Sequence, residues 1–280
     1  MTCRAWPVIS ESDAHAARAL EARGVTVTGL AWNDTDARFS GFDAAIFRSS
    51  WDYHHAPEAY LSWLARWEGA GVRFWNPPDL VRWNLTKRYL LDLGQRGVSV
   101  VPTVVLDDPA SSHLPAVLAG HGWRQAVVKP LIGASGHDAT LVGPGDVHAV
   151  AAAIDGGRIR RPVLVQPFVE AIATRGECSM IFIEGEMTHA VLKQPAAGDF
   201  RVQSSYGGTL ARAVPSRAMA AVAQQALAAL PAAPLYARVD CVEAETGVLV
   251  MEVEVHEPGL FFGVAPEGAV RLADAIVRRL

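Results

Sequence analysis

The sequence predicts an α/β (α+β) protein, with an α/β unit over residues 1–97, a small α+β unit over 98–162 and a larger α+β unit over 163–280. Three observations carry this division. In the first third, short apolar runs alternate with helix-period patterns, the texture of strands covered by helices. From residue 98 the order becomes strand, helix, strand, glycine loop, helix. From residue 163 apolar runs follow one another directly, as consecutive strands of one sheet do.

Taken in order, "ESDAHAARALEARG" (11–24) has Ala and Leu at helical spacing and a Gly stop, and "VTVTGL" (25–30) and "DAAIFRS" (43–49) read as strands. The opening "MTCR" leaves almost no room for a preceding strand. Helical patterns cover 57–69 and 79–93, the second introduced by "NPPD" with Asp79 as its cap, and the first unit ends near Gly97. The second unit contains a strand within "VSVVPTVVL" (98–106), a helix over 114–120, a strand over 125–130 and a helix over 146–154, and closes on the linker-like "DGGRIRRP". The third contains "VLVQPFV" (163–169), "ECSMIFIEG", "EMTHAVLKQP" and "FRVQSSY" (200–206) as strands, with a hairpin at "FIEGEM". An Ala-rich helix over 216–229, the strands "LYARVDCVEA" and "VLVMEVEV" around a Glu-Thr-Gly turn, and a terminal helix complete it.

Composition excludes several classes of function. The 280 residues are 50% hydrophobic and 19% charged, enough for real cores. A net charge of -4 and a pI near 6.1 give no basic footprint for nucleic acid, and "RIRR" (158–161) is too short to supply one. Cys3, Cys178 and Cys241 are odd in number and far apart, which suits buried thiols in a reducing cytoplasm better than bridges. No apolar run approaches the roughly 18 residues of a membrane span, and the N-terminus lacks the order of a signal peptide.

Of the 25 Lys+Arg residues only three are lysines: Lys87, Lys129 and Lys193. A compact ammonium suits a phosphate reached through a narrow opening, where a guanidinium fork does not. Lys129 ends a strand and is followed by Gly133, Ala134, Ser135 and Gly136, small residues that let backbone N–H groups approach a phosphate. The same loop also fits an ordinary turn between strands. No Gly-Lys-Ser/Thr and no spaced-glycine dinucleotide fingerprint occurs, so the usual phosphate-binding folds are disfavoured.

Strand alternation sends Glu252 and Glu254 to one face, and Asp240 lies on the preceding strand, so three carboxylates can meet at one point. Carboxylates among Val and Met are costly to bury without a cation, and Mg²⁺ bridging phosphates is the usual match; a solvent-facing strand is the alternative. His256 and Glu257 either join these acids or face water. Lys193 and Arg201 lie eight residues apart across a loop ending in Gly207 and Gly208. Cations facing a carboxylate-held metal suit phosphoryl transfer, although an exposed strand arginine reads the same way.

The order of a helix lysine, "VVKP" with its glycine loop, "QPFV", "GDFR", and an Asp with paired acids before "PG" resembles the ATP-grasp superfamily over essentially the whole chain. The combination "TCR", "RSSWDYHHAPEAYLSWL", "NPPDLVRWNLTKRYLLDL", "GECSMIFIEGEMTHAVLKQP", "GDFRVQ" and "EPGLFF" is more closely similar to the O-ureido-D-serine cyclo-ligase group of D-cycloserine biosynthesis. The resemblance implies an ATP-grasp fold in which a lid unit (98–162) and a metal-bearing unit (163–280) enclose ATP. It implies that Lys87 and Lys129 contact the nucleotide phosphates, that residues 133–136 cover them, and that the backbone of Gln166, Pro167, Phe168 and Val169 meets the adenine edge. Glu177 would lie near the nucleotide, Lys193 and Arg201 would face the transferring phosphoryl group, and Asp240, Glu252 and Glu254 would hold Mg²⁺. Much of the superfamily has Asn in place of Glu254 and two residues, rather than three, before Pro-Gly.

The implied activity is ADP-forming ligation of a small amino-acid-like carboxylate: ATP phosphorylates the carboxylate, and a nitrogen attacks the acyl phosphate. In the cyclo-ligase case the ureido nitrogen of the same molecule closes the ring, and carbon dioxide and ammonia are lost afterwards. Substrate contacts are expected from Arg4, Arg48, Ser50, Asp52 and Tyr53 in loops after the first strands, and from Gly207 and Gly208. In "SSWDY" Asp52 also fits a helix cap. An intermolecular amino-acid ligase and a non-catalytic ATP-binding regulator are the other readings, and a homodimer is compatible with the composition.

Overall fold

A computed structural model describes residues 1–107, 113–134, 136–159 and 162–280. The first unit contains α1 (Glu11–Glu21), β1 (Ala45–Ile46), α2 (Pro57–Gly69), β2 (Phe74–Trp75), α3 (Pro78–Leu85) and α4 (Tyr89–Gln95). Ser10 caps α1 by accepting from Asp13 N–H at 3.1 Å. The sheet of this unit is short: β1 and β2 pair in parallel over two residues each. Residues 25–30, expected as a strand, are drawn into pairing only at their end, where Thr2 N–H donates to Leu30 and Trp32 N–H donates to Thr2. The first residues thus fill the place of a strand, and the Met1 ammonium donates to Ile46 O at 2.7 Å.

The helix expected over 79–93 is two helices. Thr86 is extended (φ -107, ψ 132) and ends α3, and Lys87 N–H turns instead to Leu131 O at 2.9 Å. Asp79 is no cap; it lies in the first turn of α3 and pairs with Arg82. This break matters because it brings Lys87 beside the strand end that carries Lys129.

The next elements are β3 (Val104–Leu106), α5 (His113–His121), β4 (Ala126–Pro130), β5 (Thr140–Val142), α6 (Val147–Asp155) and β6 (Val163–Pro167). They form a four-stranded antiparallel sheet in the order β3-β6-β4-β5, packed through Val128, Val163 and Val165 on Leu114, Leu118, Val150 and Ile154. Residues 163–167, expected to open the last unit, therefore belong to this sheet. Residues 98–101, expected to begin β3, pair elsewhere: Val101 N–H donates to Val250 O and Val250 N–H to Ser99 O, a parallel bridge to a strand of the other sheet.

After α7 (Ala171–Arg175) come β7 (Glu177–Ile183), β8 (Glu186–Gln194), β9 (Thr209–Ala213), α8 (Arg217–Ala228), β10 (Tyr236–Ala244), β11 (Gly247–Glu254) and α9 (Pro266–Val277). The five strands pair antiparallel in the order β11-β10-β7-β8-β9. The β7–β8 hairpin turns on Glu184 and Gly185, both at positive φ. Residues 200–206, expected as a strand, are a loop ending in one 3₁₀ turn over Ser204–Tyr206. Ala237, Val239 and Cys241 of β10 and Cys178, Met180 and Phe182 of β7 pack with Ala223, Ala226 and Leu227 of α8. The alternate residues of those strands must then face the opposite side. Cys3, Cys178 and Cys241 are buried free thiols.

Candidate active site

Four adjacent strands present one polar face. Asp240 on β10 stands opposite Glu252 on β11 and Ser179 on β7; Arg238 stands opposite Glu254, and Glu177 opposite Lys193 on β8. The alternation that buries Val239 and Cys241 accounts for Arg238 and Asp240. It does not account for the glutamates, because Val248 and Val250 share their parity and lie in the core. A β-bulge resolves this: the register shifts between Asp240 and Cys241, which face Glu252 and Val250, leaving Met251 as the extra residue. Beyond it Val253 and Val255 enter the core, and Glu252 and Glu254 swing to the polar face.

Oxygen atoms of Asp240, Glu252 and Glu254 lie within 4.8 Å of one another. Three carboxylates at that spacing fit a hard divalent cation such as Mg²⁺. Basic side chains surround them. Lys193 pairs with Asp240 at 3.0 Å and with Glu177; Arg238 holds Asp240 at 2.9 Å and Glu254 at 2.5 Å; Lys87 pairs with Glu252. Ser179 Oγ donates to Asp240 at 2.6 Å. Burial alone would raise the Asp240 carboxyl, but Arg238 and Lys193 outweigh it and hold the group well below the usual range. Burial also opposes ionisation of Glu252, where Lys87 and then Lys129 prevail and bring it to about 2. Glu254 goes the other way, to about 8, because burial exceeds the help of Arg238. Lys129 has no carboxylate in ion-pair range among the described residues, and burial, with Lys87 beside it, lowers it to about 8. An ammonium so placed gains most from an anionic partner.

The face opens into a cleft of about 800 Å³ lined by Lys87, Lys129, Gly133, Ala134, Gly136, Gln166, Pro167, Phe168, Val169, Glu177, Lys193, Arg201, Glu252, Glu254 and Tyr53. The sequence-predicted nucleotide residues are thereby brought together, apart from Ser135, which lies outside the described residues. Gly136 sits at φ 70, a left-handed backbone that favours glycine, and an added Cβ there would meet only the movable end of the Gln203 side chain. Gln166 donates its side-chain N–H to Thr103 at 2.9 Å, and Phe168 N–H is used by Gln125 O.

Several expected site residues have other positions. Arg201 folds back on Asp199 at 2.8 Å with its guanidinium 3.5 Å from the Tyr206 ring centroid, instead of facing the acids. Arg4 is exposed and pairs with Asp34. Asp52 accepts from Trp32 Nε1 at 2.6 Å and Asn33 Nδ2 at 2.7 Å and caps no helix. Arg48 is half-buried, paired with Asp13 at 2.9 Å and donating to Pro258 O at 2.8 Å, so it braces a turn while its Nη1 is left without a hydrogen-bond partner. Ser50 is fully buried, 3.4 Å from His256 Nε2. Gly207 and Gly208 close the 199–208 loop away from the cleft lining, and a Cβ at Gly208 would lie 2.3 Å from Val202 O.

Two groups were missed or left open by the sequence. Arg238, two residues before Asp240, was detectable by the same alternation that placed Asp240. His256 and Glu257 are buried and line the cleft, Glu257 raised to about 7 by burial against the pull of Arg238.

A family model described as the ATP-grasp domain of prokaryotic glutathione synthetase matches residues 99–264, and one described as the N-terminal domain of D-cycloserine synthetase DcsG matches residues 1–76. The cycloserine biosynthesis protein DcsG of Streptomyces lavendulae is 33% identical over 277 residues, 92% of this chain and 90% of that protein. A crystal structure of D-cycloserine synthetase DcsG superposes with a TM-score of 0.87 at 29% identity, covering 95% of this chain and 93% of the other. D-alanine–D-alanine ligase of Bacillus anthracis, at 15% identity with a TM-score of 0.69 over 97% of this chain and 94% of its own, shares the fold.

Proposed function

Since the chain belongs to the ATP-grasp ligases, through a prokaryotic glutathione synthetase-type ATP-grasp domain behind a D-cycloserine synthetase N-terminal domain, we propose that it cyclises O-ureido-D-serine or a close analogue to a cycloserine-type ring, forming ADP. The observation that carries this reading is the four-strand face on which Lys193, Arg238 and Lys87 interlock with Glu177, Asp240, Glu252 and Glu254 beside Lys129, which has no ion-pair partner among the described residues.

In this reading Lys129 and Lys87 bind the ATP phosphates, and the 133–136 loop lies over them. Asp240, Glu252 and Glu254 would hold Mg²⁺, which neutralises phosphate charge when bound. The substrate carboxylate attacks the γ-phosphorus, the bond to the bridging oxygen breaks, and ADP leaves with that electron pair. Lys193 and Arg238 face the charge that develops on the transferring group, held in place by buried ion pairs, so little reorganisation is needed. The ureido nitrogen then attacks the acyl carbon and expels phosphate. Closure of the cleft over the bound substrates would keep water from the acyl phosphate in the meantime.

ADP release and product mass are the tests. O-ureido-D-serine alone is expected to support ADP release and give a ring lacking the elements of carbon dioxide and ammonia. ADP release that requires a second, separate amine, with a joined product, would establish intermolecular ligation instead; no carboxylate-dependent ADP release would refute a ligase.

A further inference from the structure

The elbow after β11 departs from the superfamily spacing, and its construction is unusually complete. Two successive backbone carbonyls are each held by a side chain: Glu257 O accepts from Trp51 Nε1 at 3.2 Å and Pro258 O from Arg48 Nη2 at 2.8 Å, while the Tyr236 hydroxyl, donating to Phe47 O at 2.6 Å, lies 3.1 Å from His256 O. Trp51 is a rigid ring, and Arg48 is itself paired with Asp13. A turn pinned this firmly fixes the direction of the side chains it carries.

Those side chains look into the cleft from the side of the first unit. The Glu257 carboxylate is 8% exposed and stands beside the Tyr53 hydroxyl. Among the described residues no lysine or arginine lies within ion-pair distance of it; the neighbour at 3.7 Å is His256 Nδ1. His256, 3% exposed, contacts Tyr60 through Nε2 at 2.5 Å, while its Nδ1 is buried without a hydrogen-bond partner. The ring thus meets Tyr60 with one nitrogen and stands 3.7 Å from Glu257 with the other, beyond hydrogen-bond distance. A buried carboxylate with no lysine or arginine in ion-pair range among the described residues calls for a cation with N–H donors. The metal-type acids begin three residues away at Glu254, so that cation sits within one small molecule's reach of the reacting centre.

Resting on the ligase reading above, we propose that Glu257, with Tyr53 and His256, forms an anchor for the α-ammonium group of the substrate, restricting the enzyme to α-amino acids. An amino acid has its ammonium and carboxyl on one carbon, so a carboxyl at the Asp240–Arg238 end leaves its ammonium facing this elbow. Arg48 and Trp51 act as positioning residues that hold the elbow and touch no ligand.

The test compares O-ureido-D-serine with the same acid lacking the amino group, using ADP release by the full chain. The wild type is expected to prefer the amino acid by at least ~10-fold in kcat/KM, and Glu257→Gln to lose most of that preference through a higher KM for the amino acid. Equal falls with both acids, preference unchanged, would overturn the anchor and make Glu257 a general contributor to turnover. Should Glu257→Gln not fold, Tyr53→Phe removes only the hydroxyl; an unchanged preference in that variant overturns the proposal equally. Wild type that releases no ADP with either acid refutes the ligase reading, whereas wild type that uses both acids equally refutes the anchor alone.

Discussion

Lys129 is held near pH 8 by its surroundings, and that makes ATP binding visible as proton uptake. With a free pKa of about 8, about half the molecules carry a neutral Lys129 at pH 8. A bound phosphate stabilises the ammonium and returns it toward its ordinary value of 10.5. Binding should therefore take up ~0.5 proton at pH 8 and ~0.9 at pH 9. Because the complex holds the proton more tightly than the free protein, affinity falls as pH rises, by ~10-fold (~1.4 kcal/mol) between pH 7 and pH 9. The assay is calorimetric titration with magnesium-free ATP in buffers of different ionisation enthalpy. Metal is omitted because Glu254, raised to about 8 by burial, would release a proton to it and mask the effect. Lys129→Gln should bind more weakly at pH 7 and lose the uptake at pH 8. Wild-type uptake that persists unchanged in Lys129→Gln would refute the assignment of this lysine to the phosphates. The same shift acts on folding: without nucleotide the unfolded chain holds this proton more tightly, so stability should rise with pH from about 8 to 10.5.

Three other outcomes are expected. Asp240→Asn should lower kcat far more than ATP affinity and should also cost ~3–5 kcal/mol in urea unfolding, since Lys193 and Arg238 lose their buried partner; near-wild-type kcat at saturating Mg²⁺ would remove the metal assignment. Gly176→Ala should lower stability by ~1–3 kcal/mol, because Gly176 has φ 81 and an added Cβ would lie 2.6 Å from Lys193 O, pushing the strand that carries the site lysine; an unchanged melting temperature would show the two strands free to separate there. Nucleotide should protect the loop around Gly133 and Gly136 from protease and hydrogen exchange, and equal protection with and without it would count against a cover over the phosphates.

Much of this site was legible because it depends on local pattern. The three lysines stand out against 22 arginines, and their convergence in one cleft follows from strand ends and a helix break. Other features depend on contacts that no local pattern encodes. The glutamates were assigned to the correct face by an alternation that, continued from Val248 and Val250, would have buried them; the bulge at Met251 supplies the missing half-step. Arg201 was assigned to the acids from its spacing to Lys193, whereas the nearer Asp199 captures it. "FRVQSSY" alternates like a strand, yet Asp199 accepts from the backbone N–H groups of Phe200 and Arg201 and starts a turn. Arg48 reads as a ligand-binding cation in a loop, and its hold on an elbow more than 200 residues away in sequence could not be read there. The fold class was accessible because it rests on periodicity, and the edge of the four-stranded sheet was not, because pairing partners fix it.

The bridge between Val100 and Val250 has a mechanical consequence. The chain enters the four-stranded sheet only after being fastened to β11 at the bulge, one residue before Met251 and two before Glu252. Pro102 follows the fastened segment directly and β3 begins two residues later. Any swing of that sheet therefore has its pivot riveted to the strand that aims the acids, and the opening of the cleft is measured from Glu252 itself. An arc swung by the sheet carrying Lys129 would be centred on the carboxylates it must meet.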